Sequence, residues 1–137
     1  MKILFFLSIV LFVPFLAYSQ GLNSNATHIR ETYPDEYQKT IRAFAVKEWE
    51  NDHTMVVYTI NQQSDALISL IRSFKSEHTN ILFRAIQEWS HSGYKATNIE
   101  KFRELSIINL EQMIGIYADW TMVKYVYDQQ TAASQAY

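Results

Sequence analysis

Apolar residues recur at spacings of three and four along most of this chain, and that period permits few folds other than helices. Spacings of three and four bring side chains onto one face of an α-helix. Alternating runs bounded by turns, which would indicate strands, are absent, and the 137 residues include only three glycines and two prolines. The sequence therefore predicts an all-α fold. The two periodic sets are Ala45, Trp49, His53, Val56, Ile60, Gln63, Leu67, Ile71 and Phe74, and Ile99, Phe102, Ser106, Leu110, Met113, Tyr117, Trp120, Val123 and Tyr127.

The first periodic set has a defined beginning and an ambiguous end. Pro34 suits a first helical turn, because its missing N–H would have no partner there. The helix ends either at a turn over 61–65, with Ser64 capping a second helix, or at a break over 75–80. Neither stretch contains glycine or proline, so both alternatives stay open.

A later helix boundary is marked more clearly. Gly93 is suited to the left-handed position after a helix end, and Thr97 with Glu100 has the spacing of a capping box. We expect a final helix from this box to about Gln130. These boundaries predict an antiparallel up-down-up bundle of three long helices over 34–131, followed by a short tail over 132–137. A four-helix bundle with breaks near 61–65 and 75–80 is the alternative.

The first 19 residues have the layout of a secretory signal peptide. Lys2 precedes an apolar run over 3–16, and Ala17 and Ser19 place small residues before a cut at Gln20. The competing interpretation is a membrane anchor that is not cleaved. A spanning helix needs roughly 20 apolar residues, and the run is shorter and contains Pro14. We therefore expect cleavage and export to the periplasm or the extracellular space.

Composition limits what the exported chain can do. Cleavage removes Lys2 and leaves 11 basic against 14 acidic residues, a formal charge of −3, which gives no basic surface for nucleic acid. The absence of cysteine excludes thiol nucleophiles, thiolate zinc sites and a lipidated N-terminus. Residues 20–33 are polar and aperiodic, so we expect a flexible N-terminal segment, in which Asn25-Ala26-Thr27 forms a glycosylation sequon.

Two segments of the chain resemble each other. Residues 54–63 (TMVVYTINQQ) and 121–130 (TMVKYVYDQQ) share six identities in ten positions. In an up-down-up bundle both copies would lie at the same end, where Met55, Tyr58, Met122 and Tyr125 would line a pocket for a small apolar ligand. Similar helix packing explains the match more simply, and we favour that interpretation.

Two Glu-x-x-His pairs are the candidate metal ligands: Glu50 with His53, and Glu88 with His91. Ferritin-like carboxylate bundles use two such pairs together with two further glutamates, and the resemblance stops at these four residues. A turn near residue 63 would place the histidines roughly 27 Å apart along the bundle, and one near residue 77 roughly 15 Å apart. Only the four-helix arrangement would bring the pairs level, so we expect no metal and no cofactor.

Catalytic motifs are lacking. The sequence contains no G-x-S-x-G elbow, no Ser-x-x-Lys pair and no glycine-rich phosphate loop, and Asp119 is predicted on a solvated outer helix face. We therefore expect a non-enzymatic interaction or binding module. Its partner would be another envelope or extracellular protein, or a second copy of the chain. A metal-binding bundle and a small apolar-ligand carrier are the alternatives.

Overall fold

The computed structural model describes residues 21–33, 35–90 and 117–136, and these ranges are helical. Within them no β-strand is present, and the one strand-like contact is an isolated bridge between Ser90 and Ala118. The predicted all-α class is confirmed. Among the same residues, no helix combines the length and apolar character that crossing a bilayer requires. The helices are α1 (Ser24–Thr32), α2 (Asp35–Trp49), α3 (His53–Ser73), a 3-10 turn (Ser76–His78), α4 (Thr79–Trp89) and α5 (Trp120–Gln135).

The first long helix of the prediction is broken at a place that the sequence analysis did not identify. α2 ends at Trp49, and Glu50 follows with a φ of 46°. Asp52 then caps α3, because its carboxylate accepts a hydrogen bond from the Met55 amide at 3.1 Å. Short acidic side chains compete in this way for local amide groups and so favour helix starts over helix interiors.

The structure distinguishes between the two predicted ends of this helix, at 61–65 and at 75–80. α3 continues through 61–65 without interruption, and Ser64 is buried in it. The predicted turn near residue 63 is therefore wrong, and so is the four-helix alternative, which needed breaks at both places. The chain does leave the helix after Ser73 and enters the 3-10 turn over Ser76–His78, which lies within the other expected break.

The long final helix is also interrupted. Asp119 has extended backbone angles and caps α5, which begins at Trp120, so a continuous helix from residue 97 to 130 is wrong. Gly93 and the capping box at 97–100 lie outside the described residues. The described ranges thus contain shorter helices with side-chain caps instead of three long ones.

The N-terminal segment, expected to be flexible, forms helix α1 and packs onto α3. Asn61 of α3 accepts a hydrogen bond from the Asn23 amide at 2.9 Å and donates to the Gly21 carbonyl at 3.3 Å. The Asp65 carboxylate accepts from the side-chain amides of Asn23 and Asn25, both at 2.9 Å. These polar contacts, together with the buried side chains of Ala26 and Ile29, hold α1 on the rest of the fold.

This arrangement bears on the sequon at Asn25. The residue lies in α1, and its amide nitrogen donates to Asp65. Glycosylation acceptors ordinarily lie in surface loops. The folded position of Asn25 does not match that context.

The core gathers around α3 and α5. α3 packs against α1, α2 and α5, and α5 packs also against α4. These contacts form one continuous cluster of buried apolar residues. Its largest fully buried members are Trp120, Ile29, Leu67, Leu70, Leu82, Ile86 and Val123.

Replacing Glu50 by glycine is expected to raise the free energy of unfolding by about 1 kcal/mol. The left-handed conformation crowds a Cβ atom against the backbone and costs a non-glycine residue about 1–2 kcal/mol, and the greater freedom of unfolded glycine offsets part of the gain. Urea unfolding measures the change. As the matched control, Arg42→Gly in the exposed interior of α2 should lose about 1 kcal/mol. A loss of stability in Glu50→Gly would contradict the backbone geometry of this turn.

Candidate interaction surface

The two similar segments occupy corresponding positions on α3 and α5. Residues 54–63 lie in the first half of α3, and residues 121–130 begin at the second residue of α5. The correspondence extends to the caps: the Asp52 carboxylate accepts from the Met55 amide at 3.1 Å, and the Asp119 carboxylate from the Met122 amide at 3.3 Å. The repeat is therefore a capped helix start of the form Asp-x-Thr-Met-Val.

Each copy also carries the same tyrosine–glutamine pair. Gln62 donates from Nε2 to the Tyr58 hydroxyl at 2.7 Å, and Gln129 donates to the Tyr125 hydroxyl at the same distance. Residues four apart on a helix are neighbours on its surface. The two pairs differ in environment, because Tyr58 is half-buried whereas Tyr125 is 55% exposed.

Gln63 joins the first copy to the second. Its side chain is only 3% exposed. Nε2 donates to Asp119 Oδ1 and to Thr121 Oγ1, both at 2.9 Å, and Oε1 accepts from the Trp120 amide at 2.6 Å. The prediction that Asp119 lies on a solvated outer face is therefore wrong, since this carboxylate caps α5 and is held by α3. Gln130, the equivalent residue of the second copy, is exposed.

The copies are staggered along the two helices. Gln63 ends the first copy and contacts the beginning of the second, while further along the rings of Phe74 and Tyr127 lie 6.3 Å apart. α3 and α5 therefore run in the same sense with an offset of about one copy. At 1.5 Å rise per residue, Tyr58 and Tyr125 are separated by roughly 14 Å along the helices.

This stagger does not support the predicted pocket. Met55 and Tyr58 lie on the N-terminal side of the Gln63 contact, whereas Met122 and Tyr125 lie beyond it on α5. The expectation that both copies lie at the same end is wrong. The structure does not bring the four side chains to one level.

The outward side of α5 presents an open surface stripe instead, formed by this one helix. We call it the outer α5 face. Lys124 and Asp128, the two charged residues in it, form an ion pair one helical turn apart, so the surface around Tyr125 carries no net charge. The outer α5 face consists of Thr121, Lys124, Tyr125, Asp128, Gln129 and Ala132.

A second exposed apolar spot lies on α2. Val46 is 41% exposed and Trp49 is 42% exposed, and their spacing of three places them on one side of the helix. With Tyr125 they are the large hydrophobic side chains that the described part of the chain leaves open to solvent. Scattered apolar side chains are normal on a surface, so this pair alone indicates no site.

One tyrosine has a perturbed pKa. Burial and, to a smaller extent, the nearby carboxylate of Glu48 raise the pKa of Tyr117 above its usual value. The ring packs against Phe44 with centroids 6.0 Å apart. Its hydroxyl therefore stays neutral at physiological pH and has the environment of a packing residue.

The structure describes three of the four candidate metal ligands. Glu50 lies in the turn between α2 and α3, His53 is the first residue of α3, and both are exposed, so they do not share one helical face. Glu88 is exposed near the end of α4, and His91 lies outside the described residues. Among the residues that the structure describes, no cluster of three or more carboxylates and histidines could hold a metal ion.

Several residues of this surface were missed by sequence reasoning. Lys124 and Gln129 were seen only as parts of a repeat, and Gln63 only as a core position. The repeated Asp-x-Thr-Met-Val start was the available signal, because an aspartate three residues before a methionine amide is a typical helix cap.

Comparisons of this chain with models of known protein families, with curated protein sequences and with solved structures find no match.

Proposed function

We propose that this protein is an exported, non-enzymatic interaction module that binds another protein of its compartment through the outer α5 face. The observation that carries the proposal is Tyr125, a large aromatic side chain that is 55% exposed on a helix fixed at its start. Tyrosine is enriched among the residues that dominate protein interfaces.

Tyr125 offers a partner both a ring and a hydrogen bond. The Gln129 amide donates to its hydroxyl oxygen at 2.7 Å, which orients the ring and leaves the hydroxyl hydrogen available for an acceptor on the partner. The ring is ordered before binding, so less conformational entropy is lost on association.

The charges of the outer α5 face indicate the chemistry of the partner. Lys124 and Asp128 neutralise each other at i, i+4 spacing, so the surface does not favour either sign of charge. The fitting occupant is a polypeptide segment that presents an apolar side chain to Tyr125 and a backbone carbonyl to its hydroxyl.

Export is part of the same proposal and is supported by the N-terminal sequence. The cut expected before Gln20 would fall just outside the contacts that hold Gly21 and Asn23 on Asn61. Cleavage would therefore leave α1 seated on α3 and release a folded domain with its outer α5 face open.

Site-specific photo-crosslinking in the source cell tests this proposal. A photoreactive phenylalanine replaces Tyr125 in one variant and Tyr58, its repeat equivalent, in the control. We expect one discrete adduct with another protein from position 125, and a yield at least about tenfold lower from position 58, because the energetic contacts of an interface cluster in its centre. Equal patterns from both positions would contradict the proposal. An adduct at twice the mass of the chain would identify a second copy as the partner instead.

A further inference from the structure

The outer α5 face has a counterpart on α3, because the two copies of the repeat correspond residue by residue. Tyr58 takes the place of Tyr125, and Asn61 takes the place of Asp128. The same alignment, continued just beyond the repeat, places Asp65 opposite Ala132. We call this surface the α3 counterpart face. In chain order it consists of Thr54, Val57, Tyr58, Asn61, Gln62 and Asp65.

The α3 counterpart face has an occupant within the chain, which is the start of helix α1. The Asn23 backbone amide donates to Asn61 Oδ1 at 2.9 Å. The Asp65 carboxylate accepts from the side-chain amides of Asn23 and Asn25, both at 2.9 Å. The first copy of the repeat therefore holds a helix start through the side chains at two of its surface positions.

The outer α5 face has no occupant of this kind in the described part of the chain. There, Lys124 and Asp128 pair with each other, and the Gln129 amide donates to the Tyr125 hydroxyl. Tyr125 is 55% exposed, whereas the equivalent Tyr58 is half-buried. Two similar surfaces are therefore present, one covered by a helix start and one open.

Asp128 can accept the amide of a helix start as Asn61 does. Asn23 is the cap of α1, since its Oδ1 accepts from the Ala26 amide at 2.9 Å, and its own backbone amide is the donor to Asn61. Lys124 donates to Oδ2 of Asp128, which leaves Oδ1 for a further donor. A carboxylate acceptor strengthens such a hydrogen bond, and its negative charge complements the positive end of the helix dipole.

One difference between the two faces defines the occupant further. Ala132 stands where α3 has Asp65, the acceptor for the side chains of Asn23 and Asn25. A helix start on the outer α5 face would find no acceptor at this position. We therefore expect its second residue after the cap to be small and apolar, where α1 has Asn25.

We propose that the occupant of the outer α5 face is the capped start of an α-helix of the partner protein, seated as α1 is seated on α3. The backbone amide of its cap residue donates to Asp128 Oδ1, and its apolar side packs against Tyr125. The inference rests on the proposed function and narrows the partner to this kind of segment.

The probe for this proposal is a peptide of residues 21–33 that carries Asn25→Ala. A lactam bridge between positions 28 and 32 keeps it helical, since His28 and Thr32 already contact each other on the exposed side of α1. NMR titration of the full chain with this peptide monitors the backbone amides of the outer α5 face. The chain's own α1, tethered at an effective concentration on the order of millimolar, keeps the α3 counterpart face covered.

Two substitutions of Asp128 separate the acceptor from the charge. Asp128→Ala removes the acceptor, and Asp128→Asn copies Asn61 and keeps an acceptor oxygen. Asp128 is exposed, so neither change disturbs the core. We expect saturable shifts in the wild type, at least about tenfold weaker binding by Asp128→Ala and binding within about threefold of the wild type by Asp128→Asn, because hydrogen bonds to charged groups are worth about 1.5–3 kcal/mol.

Each outcome decides the proposal. Absence of saturable shifts in the wild type would overturn it, as would equal weakening by both variants. Either result leaves the proposed function standing if position 125 still gives an adduct with another protein, whereas absence of that adduct removes the proposed function and this inference together. Sedimentation of the chain alone should show a monomer. A dimer that Asp128→Ala dissociates would make α1 of a second copy the occupant and overturn the assignment to another protein.

Discussion

Replacing Trp120 by alanine is expected to lower the free energy of unfolding by about 3–5 kcal/mol, the range found when large aromatic residues are removed from cores. Trp120 is 1% exposed and is the largest fully buried side chain among the described residues. It lies at the first position of α5, where its backbone amide also donates to Gln63. Removal of the indole ring would therefore leave a cavity where α5 packs against α3. Equilibrium urea unfolding, followed by far-UV circular dichroism, measures the loss.

Trp49→Ala is the matched control for this prediction. Trp49 is the same residue type but is 42% exposed at the end of α2. Its removal should change stability by no more than about 0.5–1 kcal/mol, as for other surface positions. Similar losses in the two variants would show that Trp120 is not the packing centre of α5.

Gln63→Leu is expected to lower the free energy of unfolding by about 2–4 kcal/mol. The substitution keeps the approximate size of the side chain but removes three hydrogen bonds to the start of α5. It also leaves the Trp120 amide buried without an acceptor, and an unsatisfied buried polar group costs about 1–3 kcal/mol. Thermal and urea unfolding would both report the loss.

The repeat supplies a control for Gln63 as well. Gln130 is the equivalent residue of the second copy and is exposed, so Gln130→Leu should change stability by less than about 0.5 kcal/mol. Combining Gln63→Leu with Asp119→Ala should cost less than the sum of the two single changes, because the residues share a hydrogen bond. If the stability losses of Gln63→Leu and Asp119→Ala simply add in the double variant, the proposed contact between the two copies is contradicted.

The helical class and much of the core follow from the sequence alone. Val56, Ile60 and Leu67 on α3, and Trp120, Val123 and Tyr127 on α5, were all placed on apolar faces by their spacing, and all are buried. These burials could be predicted because the helical repeat of 3.6 residues decides which side chains share the inward face of a helix, and this depends on the geometry of one helix alone.

The positions of the helix breaks could not be predicted from the apolar period. Glu50, Asn51 and Asp52 interrupt a pattern that resumes in register on the far side, so the period alone indicated one continuous helix. The same happens at Asp119. Both breaks depend on side-chain caps of about 1 kcal/mol each, which compete closely with helix continuation and leave no mark on the apolar pattern.

Contacts between distant segments were beyond sequence reasoning. α1 is held in place by hydrogen bonds to Asn61 and Asp65, about 40 positions away along the chain, and by the burial of Ala26 and Ile29 in the core. The outer α5 face depends on the stagger that Gln63 imposes. Tyr125 was identified as a candidate, but as the wall of a pocket, because the relative shift of two helices is not a property of either helix alone.

The affinity of the partner captured at position 125 tests the central claim most directly. Isothermal titration of that partner with the wild-type chain and with Tyr125→Ala compares the two dissociation constants, with Tyr58→Ala as the control for lost aromatic area. The account predicts at least about tenfold weaker binding for Tyr125→Ala, equivalent to about 1.4 kcal/mol, and a change below about threefold for Tyr58→Ala. An unchanged dissociation constant for Tyr125→Ala would contradict a binding role for the outer α5 face.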